Sequence, residues 1–293
     1  MEKFKKPIIF IGTGRSGTTI ISEIINRHPH LAFPSNYQDM KPSNRKINLV
    51  RSLFDNSLWR VYGQKPQLNK MSIINKYTFR PSEAYNMWEY LTGAKLDFSR
   101  GFLTNETVSD ERLNFIRSYF NDMVKYQNRK RLSVKVTGPS RIPFFLKLFP
   151  DAIFIHLKRD LVPTINSFLK VEFWNSRGAK QLWWQGVYNE EEKEWAMNNS
   201  NAPSLMTAFQ LKKIIQITEL ELEQYKPKIL ETSYEDFVMS PKNELRRILS
   251  FAELPDMNLD EHLKKVKIFN RNKKHTDYFD KNQLEKIYQI INQ

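Results

Sequence analysis

The residues best able to do chemistry lie near the start of the chain, in Gly12-Thr13-Gly14-Arg15-Ser16-Gly17-Thr18-Thr19. Gly12 and Gly17 keep the glycine spacing of the phosphate loop G-x-x-x-x-G-K-[ST], in which backbone N–H groups cradle an anion. Thr18 stands where that loop carries lysine, Thr19 keeps the hydroxyl position, and the cation has moved inside the turn as Arg15. Such a turn suits a phosphate or sulfate group while lacking the lysine of a metal-ATP enzyme. A second anion site is expected at Arg159, where a guanidinium offers paired charge-assisted hydrogen bonds. Ser167 lies eight residues further on and adds a hydroxyl.

These residues need elements to hold them. The run Ile8-Ile9-Phe10-Ile11 before the turn is short, apolar and β-branched, as in a fully buried strand. After the turn Ile20, Ile21, Ile24 and Ile25 recur at helical spacing, so the loop feeds a helix whose first N–H groups are unpaired and whose dipole favours an anion. Asn26-Arg27-His28-Pro29 stops that helix, and a short strand is expected within 30–33. Strands are expected at 132–136, 152–157 and 228–232. Helices are expected at 110–127, 141–148, 162–171, 204–225 and 241–251, with a last one from Lys281. Residues 34–109 read as loops and short helices, a lid or acceptor insertion within one domain spanning 1–293, and 172–200 also read as irregular. Stretches 254–260 and 273–277 read as loops. Strands alternating with helices predict a three-layer α/β/α domain around a central parallel sheet, with the ligand beyond the carboxyl ends of the strands.

Composition narrows the function. The 293 residues are 40% hydrophobic and 13% aromatic, enough for a substantial core. The absence of cysteine excludes disulfides, thiolate metal sites and a cysteine nucleophile. No run approaches the roughly 18 apolar residues of a membrane span. The first ten residues lack the apolar stretch and cleavage site of a signal peptide, so the expected location is the cytoplasm. The net charge of +14 is spread along the chain with no nucleic-acid-binding signature, so no nucleic-acid partner is expected.

GTGRSGTT after a strand, FPDAIFIHLKRD with Ser167 downstream, and Tyr234-Glu235-Asp236-Phe237 before a proline-led helix occur in an order that resembles the sulfotransferases using 3′-phosphoadenosine-5′-phosphosulfate (PAPS). The resemblance covers about residues 5–35 and 130–252. It is nearer the bacterial, carbohydrate and tyrosylprotein branches, with arginine in the loop. It implies a P-loop-NTPase-like fold and metal-free transfer of a sulfuryl group to a hydroxyl or amine of a small-molecule, sugar or lipid acceptor, with 3′-phosphoadenosine 5′-phosphate (PAP) as product. By position it implies that Gly14, Arg15, Ser16, Gly17, Thr18 and Thr19 hold the 5′-phosphosulfate, Arg15 also acting in catalysis by stabilising the sulfuryl oxygens and the leaving phosphate. Arg159 and Ser167 would hold the 3′-phosphate, with Lys274 or Lys273 closing over it, and Lys135 would neutralise charge at the transferring group.

The general base departs from the family pattern, because the residues after Pro34 are Ser35, Asn36, Tyr37 and Gln38 before the first carboxylate, Asp39. Asp39 is the leading expectation, followed by Glu83, Glu172 and His275. Glu235-Asp236 is expected to be a structural turn, and Phe173, Trp174, Trp183 and Trp184 to wall an acceptor pocket or pack as core. Two other readings are a small-molecule or nucleoside kinase with a degenerate loop, and a non-catalytic nucleotide- or nucleic-acid-binding protein.

Overall fold

The computed structural model describes residues 5–55, 78–93, 96–104, 108–264, 266–272 and 278–292. Five strands form one sheet in the order β2-β3-β1-β4-β5: β1 is Ile8–Ile11, β2 Leu31–Ala32, β3 Arg131–Lys135, β4 Ile153–Lys158 and β5 Lys228–Ser233. Every pairing is parallel, with Ile8 opposite both Ser133 of β3 and Ile153 of β4. The predicted parallel α/β sheet flanked by helices is therefore present. Parallel strands need crossovers, and the crossovers cover both faces, so β1 is apolar at every position.

The two faces of β1 divide the core. Ile8 and Phe10 join Ile21, Ile24 and Ile25 of the helix Thr18–Ile25, together with Phe237, Leu245 and Leu249 from the last third of the chain. Ile9 and Ile11 join Leu132 and Val134 of β3 and an aromatic group of Trp88, Phe98, Phe120 and Phe145. In that group Trp88 stacks on Phe98 with ring centroids 4.6 Å apart. The stretch expected as a lid or acceptor insertion thus also supplies fully buried core. It contains the helices Asn36–Met40, Arg51–Phe54 and Tyr85–Thr92, with a 3-10 helix at Arg45–Val50.

Most predicted bounds shift by a residue or two, and the difference is larger in two places. Residues 172–200 are not irregular throughout: they hold the helices Glu172–Ser176 and Glu190–Asn198. The second starts with a capping box in which the Asn189 and Glu192 side chains each take up the other's backbone N–H, a signal outweighed in the sequence by the charge and tryptophan around it. The loop expected at 254–260 ends early, because the helix Leu259–Lys264 begins inside it. The expected loop at 273–277 lies outside the described residues.

Candidate active site

The turn after β1 is built by close approach. A Cβ at Gly12 would sit 2.6 Å from the carbonyl oxygen of Leu157 on β4, so only glycine lets the loop cross that strand. Gly17 has φ +86, and a Cβ there would lie 2.6 Å from the Tyr234 ring. Gly17 caps the helix Thr18–Ile25 with no side-chain hydrogen bond, and no acidic residue occupies its first turn. The first N–H groups therefore face the loop without a carboxylate to compete with an incoming anion. Ser16 reinforces this, since its Oγ is buried and has no hydrogen-bond partner among the described residues. An unsatisfied hydroxyl inside a glycine-rich turn fits an oxyanion that would complete it.

Two clusters flank the loop. On one side, Arg15 donates from Nε to Ser167 Oγ at 3.0 Å, and Arg159 donates from Nη1 to the Arg15 carbonyl at 2.7 Å. Arg159 follows β4 at its carboxyl end, and Ser167 sits on the next helix, Leu161–Leu169. The guanidinium of Arg159 also lies 4.5 Å from the centroid of the Tyr234 ring. Burial lowers the Arg159 pKa, and the charges of Arg15 and Arg271 press it the same way, while Tyr234 and Glu235 oppose them. Three arginines thus crowd one another beside the loop, an arrangement that a bound anion would relieve. From the basic run 270–275, which the resemblance sets near the 3′-phosphate, Lys273 and Lys274 are singled out; nothing in the pattern separates Arg271, whose charge acts on Arg159, from its neighbours.

On the other side, the Lys135 ammonium lies 3.1 Å from Glu83 and donates to Thr19 Oγ1 at 3.0 Å. The second Glu83 oxygen accepts from the Thr137 hydroxyl at 2.7 Å. Both side chains are largely shielded, 11% exposed for Lys135 and 21% for Glu83. Burial pushes the Glu83 carboxyl up, but the Lys135 charge and the hydrogen bonds from Thr137 and Lys135 outweigh it and hold the group below the ordinary carboxylate range. Glu83 reaches Lys135 because 80–82 pairs with 34–36: Asn36 N–H donates to Arg80 O and Ser82 N–H to Pro34 O, around the bridge between Ser35 and Pro81. Lys135 closes β3, and the chain beyond it is tied to the loop by Gly138 N–H donating to Gly12 O at 3.0 Å.

A second carboxylate responds to the same ammonium. Glu23, one helical turn beyond Thr19, has its pKa pushed up to about 7 by burial, against the opposing charges of Lys135, Arg27 and Arg80. No sequence pattern marked it, since a glutamate inside a helix ordinarily faces water.

The remaining expected residues are engaged elsewhere, exposed, or outside the described residues. Asp39 accepts the Asn86 N–H at 2.9 Å, at the start of the helix Tyr85–Thr92, as a carboxylate at a helix N-terminus commonly does. Glu172 is exposed in the first turn of the helix Glu172–Ser176. Lys273, Lys274 and His275 lie outside the described residues. Trp174 and Trp184 are buried against Phe168 with centroids 4.9 and 6.3 Å from it, and Phe173 is 52% exposed. Of the aromatic group, then, Trp174 and Trp184 pack as core.

The model of the sulfotransferase family described as "Sulfotransferase family" matches residues 7–258. The chain belongs to the sulfotransferase family. Its fold is similar to that of sulfotransferase STF9 from Mycobacterium avium, at TM-score 0.58 and 17% identity over 99% of this chain and 76% of that one. Sulfotransferase STF1 from Mycobacterium tuberculosis H37Rv has TM-score 0.56 and 13% identity over 98% of this chain and 76% of its own. A sulfotransferase domain from the curacin biosynthetic pathway has TM-score 0.50 and 16% identity over 99% of this chain and 98% of its own. No curated protein matches by sequence. Among the described residues, no helix of this sulfotransferase is long and apolar enough to cross a membrane.

Proposed function

We propose that this chain is a PAPS-dependent sulfotransferase in which residues 1–293 form one catalytic domain, part of the 34–109 segment facing the acceptor. The observation that carries the reading is the pair of clusters on either side of the glycine-rich turn, one of arginines with Ser167 and one of Lys135, Thr19 and Glu83. A donor with a phosphosulfate at one end and a phosphate at the other needs two separate anion sites of this kind.

When bound, the donor supplies the sulfuryl group and the phosphate that leaves with PAP. The first N–H groups of the helix Thr18–Ile25 and the Ser16 hydroxyl hold the phosphosulfate, and Arg15, Arg159 and Ser167 hold the 3′-phosphate. Lys135 lies beside Thr19 at the reacting end, where its charge stabilises negative charge passing to the leaving oxygen. Glu83 takes the acceptor proton: the acceptor oxygen or nitrogen forms its bond to sulfur as the bond from sulfur to the phosphate oxygen breaks, and the released proton goes to the Glu83 carboxylate. Lys135 holds Glu83 ionised before the donor arrives. As Lys135 turns toward the incoming anion, Glu83 loses that stabilisation while staying buried, and becomes a stronger base. Glu83 is favoured over Asp39 for this role because Glu83 is the carboxylate in contact with Lys135, while Asp39 is engaged with the N–H of Asn86.

The acceptor is expected to be a small molecule, sugar or lipid bearing a hydroxyl or amine. The test is ligand-induced stabilisation, with adenosine 3′,5′-bisphosphate, magnesium-ATP and a short oligonucleotide offered separately. Stabilisation by the bisphosphate alone is expected. A response to magnesium-ATP instead would replace this reading with the kinase, and a response to the oligonucleotide alone with the nucleic-acid-binding protein.

A further inference from the structure

Glu235 and Asn272 lie behind Arg159, and neither has a place in the donor site described above. Oδ1 of the Asn272 side chain accepts from both Nε and Nη2 of Arg159, at 3.0 and 2.8 Å. The Asn272 amide in turn donates to Glu235 Oε1, which also accepts the backbone N–H of Asp160 at 3.3 Å. Glu235 therefore grips both the segment that follows β4 and the side chain that grips Arg159. The adjacent Tyr234 extends the brace. Its ring underlies the Arg159 guanidinium and stands where a Cβ on Gly17 would be, and its hydroxyl donates to the Phe269 carbonyl.

A guanidinium has five N–H donors. Asn272 takes one from Nε and one from Nη2, and the Arg15 carbonyl takes one from Nη1. One N–H on each of Nη1 and Nη2 is left over among these contacts, and such a pair forms the fork that suits a phosphate. An unbraced arginine could swing its fork through many directions. This one is tied along its Nε edge, supported on an aromatic face and anchored through its Nη1.

On the PAPS reading above, we propose that Glu235 and Asn272 are positioning residues, which fix the Arg159 guanidinium so that its remaining fork is directed to the 3′-phosphate and sets the preference for a 3′-phosphorylated nucleotide. Tyr234-Glu235 then does more than turn the chain after β5. It ties together the two anion sites and the segment 269–272.

The test compares adenosine 3′,5′-bisphosphate with adenosine 5′-monophosphate, which lacks only the 3′-phosphate, by titration calorimetry on the full chain. Asn272→Ala is expected to weaken bisphosphate binding about five- to tenfold, the scale of a single hydrogen bond, and to leave the monophosphate affinity unchanged. In an Arg159→Ala background the same substitution is expected to change bisphosphate affinity less than about twofold, because residues acting through one group are not additive. Glu235→Gln keeps an oxygen for Asp160 and Asn272 and is expected to retain most of the preference, while Glu235→Ala loses it. If Glu235→Ala does not fold, the half-buried Asn272 carries the test alone. Equal loss for both nucleotides, or additivity with Arg159→Ala, would overturn the positioning role. Tighter bisphosphate binding by Asn272→Ala would also overturn it, by making Asn272 a competitor for the phosphate. A wild-type chain with no preference for the bisphosphate overturns the donor reading and this inference together, whereas a preference that survives Asn272→Ala overturns only the inference.

Discussion

Lys135 Nζ stands between Glu83, 3.1 Å away, and the Thr19 hydroxyl at 3.0 Å, so one ammonium joins the glycine-rich turn to a shielded carboxylate. Because Glu83 is held below the ordinary carboxylate range, it is ionised in the ligand-free protein throughout the neutral region, and the acid limb it gives to kcat/KM is expected below that range. Lys135→Met removes the charge and leaves the burial, so the Glu83 pKa should rise and the acid limb move to higher pH. The rate at neutral pH should fall by about 100-fold or more, as when a stabilising charge is lost from a transition state. Glu83→Gln should abolish the acid limb along with most of the turnover. A Lys135→Met profile with its acid limb unmoved would detach Glu83 from the reaction.

Gly17 is where the loop, Tyr234 and Arg159 meet. Alanine at Gly17 must adopt φ near +86 and place its Cβ 2.6 Å from the Tyr234 ring. The backbone term alone is about 1–2 kcal/mol for a non-glycine residue in the left-handed region, and displacement of a supporting ring adds to it. Thermal unfolding of Gly17→Ala is expected roughly 3–6 °C below wild type for a chain of this size, with nucleotide binding weakened as Tyr234 moves. A variant that melts with wild type and binds normally would show that the ring can yield without cost.

Much of this site was legible in the sequence, and for a physical reason. The Gly12–Thr19 turn, Arg159 and Ser167 are each fixed by local pattern: a buried strand, then a turn or a pair of cations, then a helix. What the sequence did not disclose is coupling across distance. Glu83 and Lys135 are 52 positions apart and meet only because 80–82 pairs with 34–36, a bridge too short to leave a periodic signal. Asn272 meets Arg159 across 113 positions, from a run that the resemblance sets near the 3′-phosphate through its lysines and not through this amide. The same limit applies to the core. Trp88 and Phe98 lie among prolines and polar residues that suggested an insertion, yet they pack directly beneath the sheet, because aromatic burial needs area and shape but no repeat.

Away from the site, Glu221 gives a stability prediction. It is 4% exposed, accepts from the Ser140 hydroxyl and the Ile142 N–H, and has its pKa pushed up to about 7 by burial, against those hydrogen bonds and the Arg141 charge. Between the ordinary glutamate pKa and 7, the folded state holds a proton that the unfolded state has released. Stability therefore falls as pH rises through that window, by roughly 3 kcal/mol if the whole shift is expressed. Glu221→Gln cannot ionise, so its melting temperature should decline less between pH 5 and 8 than that of the wild type, by roughly 5 °C or more. Parallel curves would mean that the carboxylate is ionised in both states, with water reaching it in the fold.

Arg15 can be assigned by the same nucleotide comparison. Its position in the loop suggests service to the 5′-phosphosulfate, but its Nε is bonded to Ser167 Oγ and its carbonyl supports Arg159. On the proposed function its side chain therefore goes with the second anion site, while its backbone remains part of the turn. Arg15→Ala should weaken adenosine 3′,5′-bisphosphate by about tenfold or more and leave adenosine 5′-monophosphate nearly unchanged, since a charged hydrogen-bond donor is lost at one phosphate only. Ser167→Ala should show the same selectivity with a smaller loss, because a neutral hydroxyl contributes less. Lys135→Met should do the reverse, changing turnover far more than either affinity. If Arg15→Ala weakens both nucleotides equally, Arg15 instead serves the 5′ group, turning away from Ser167 when the donor binds.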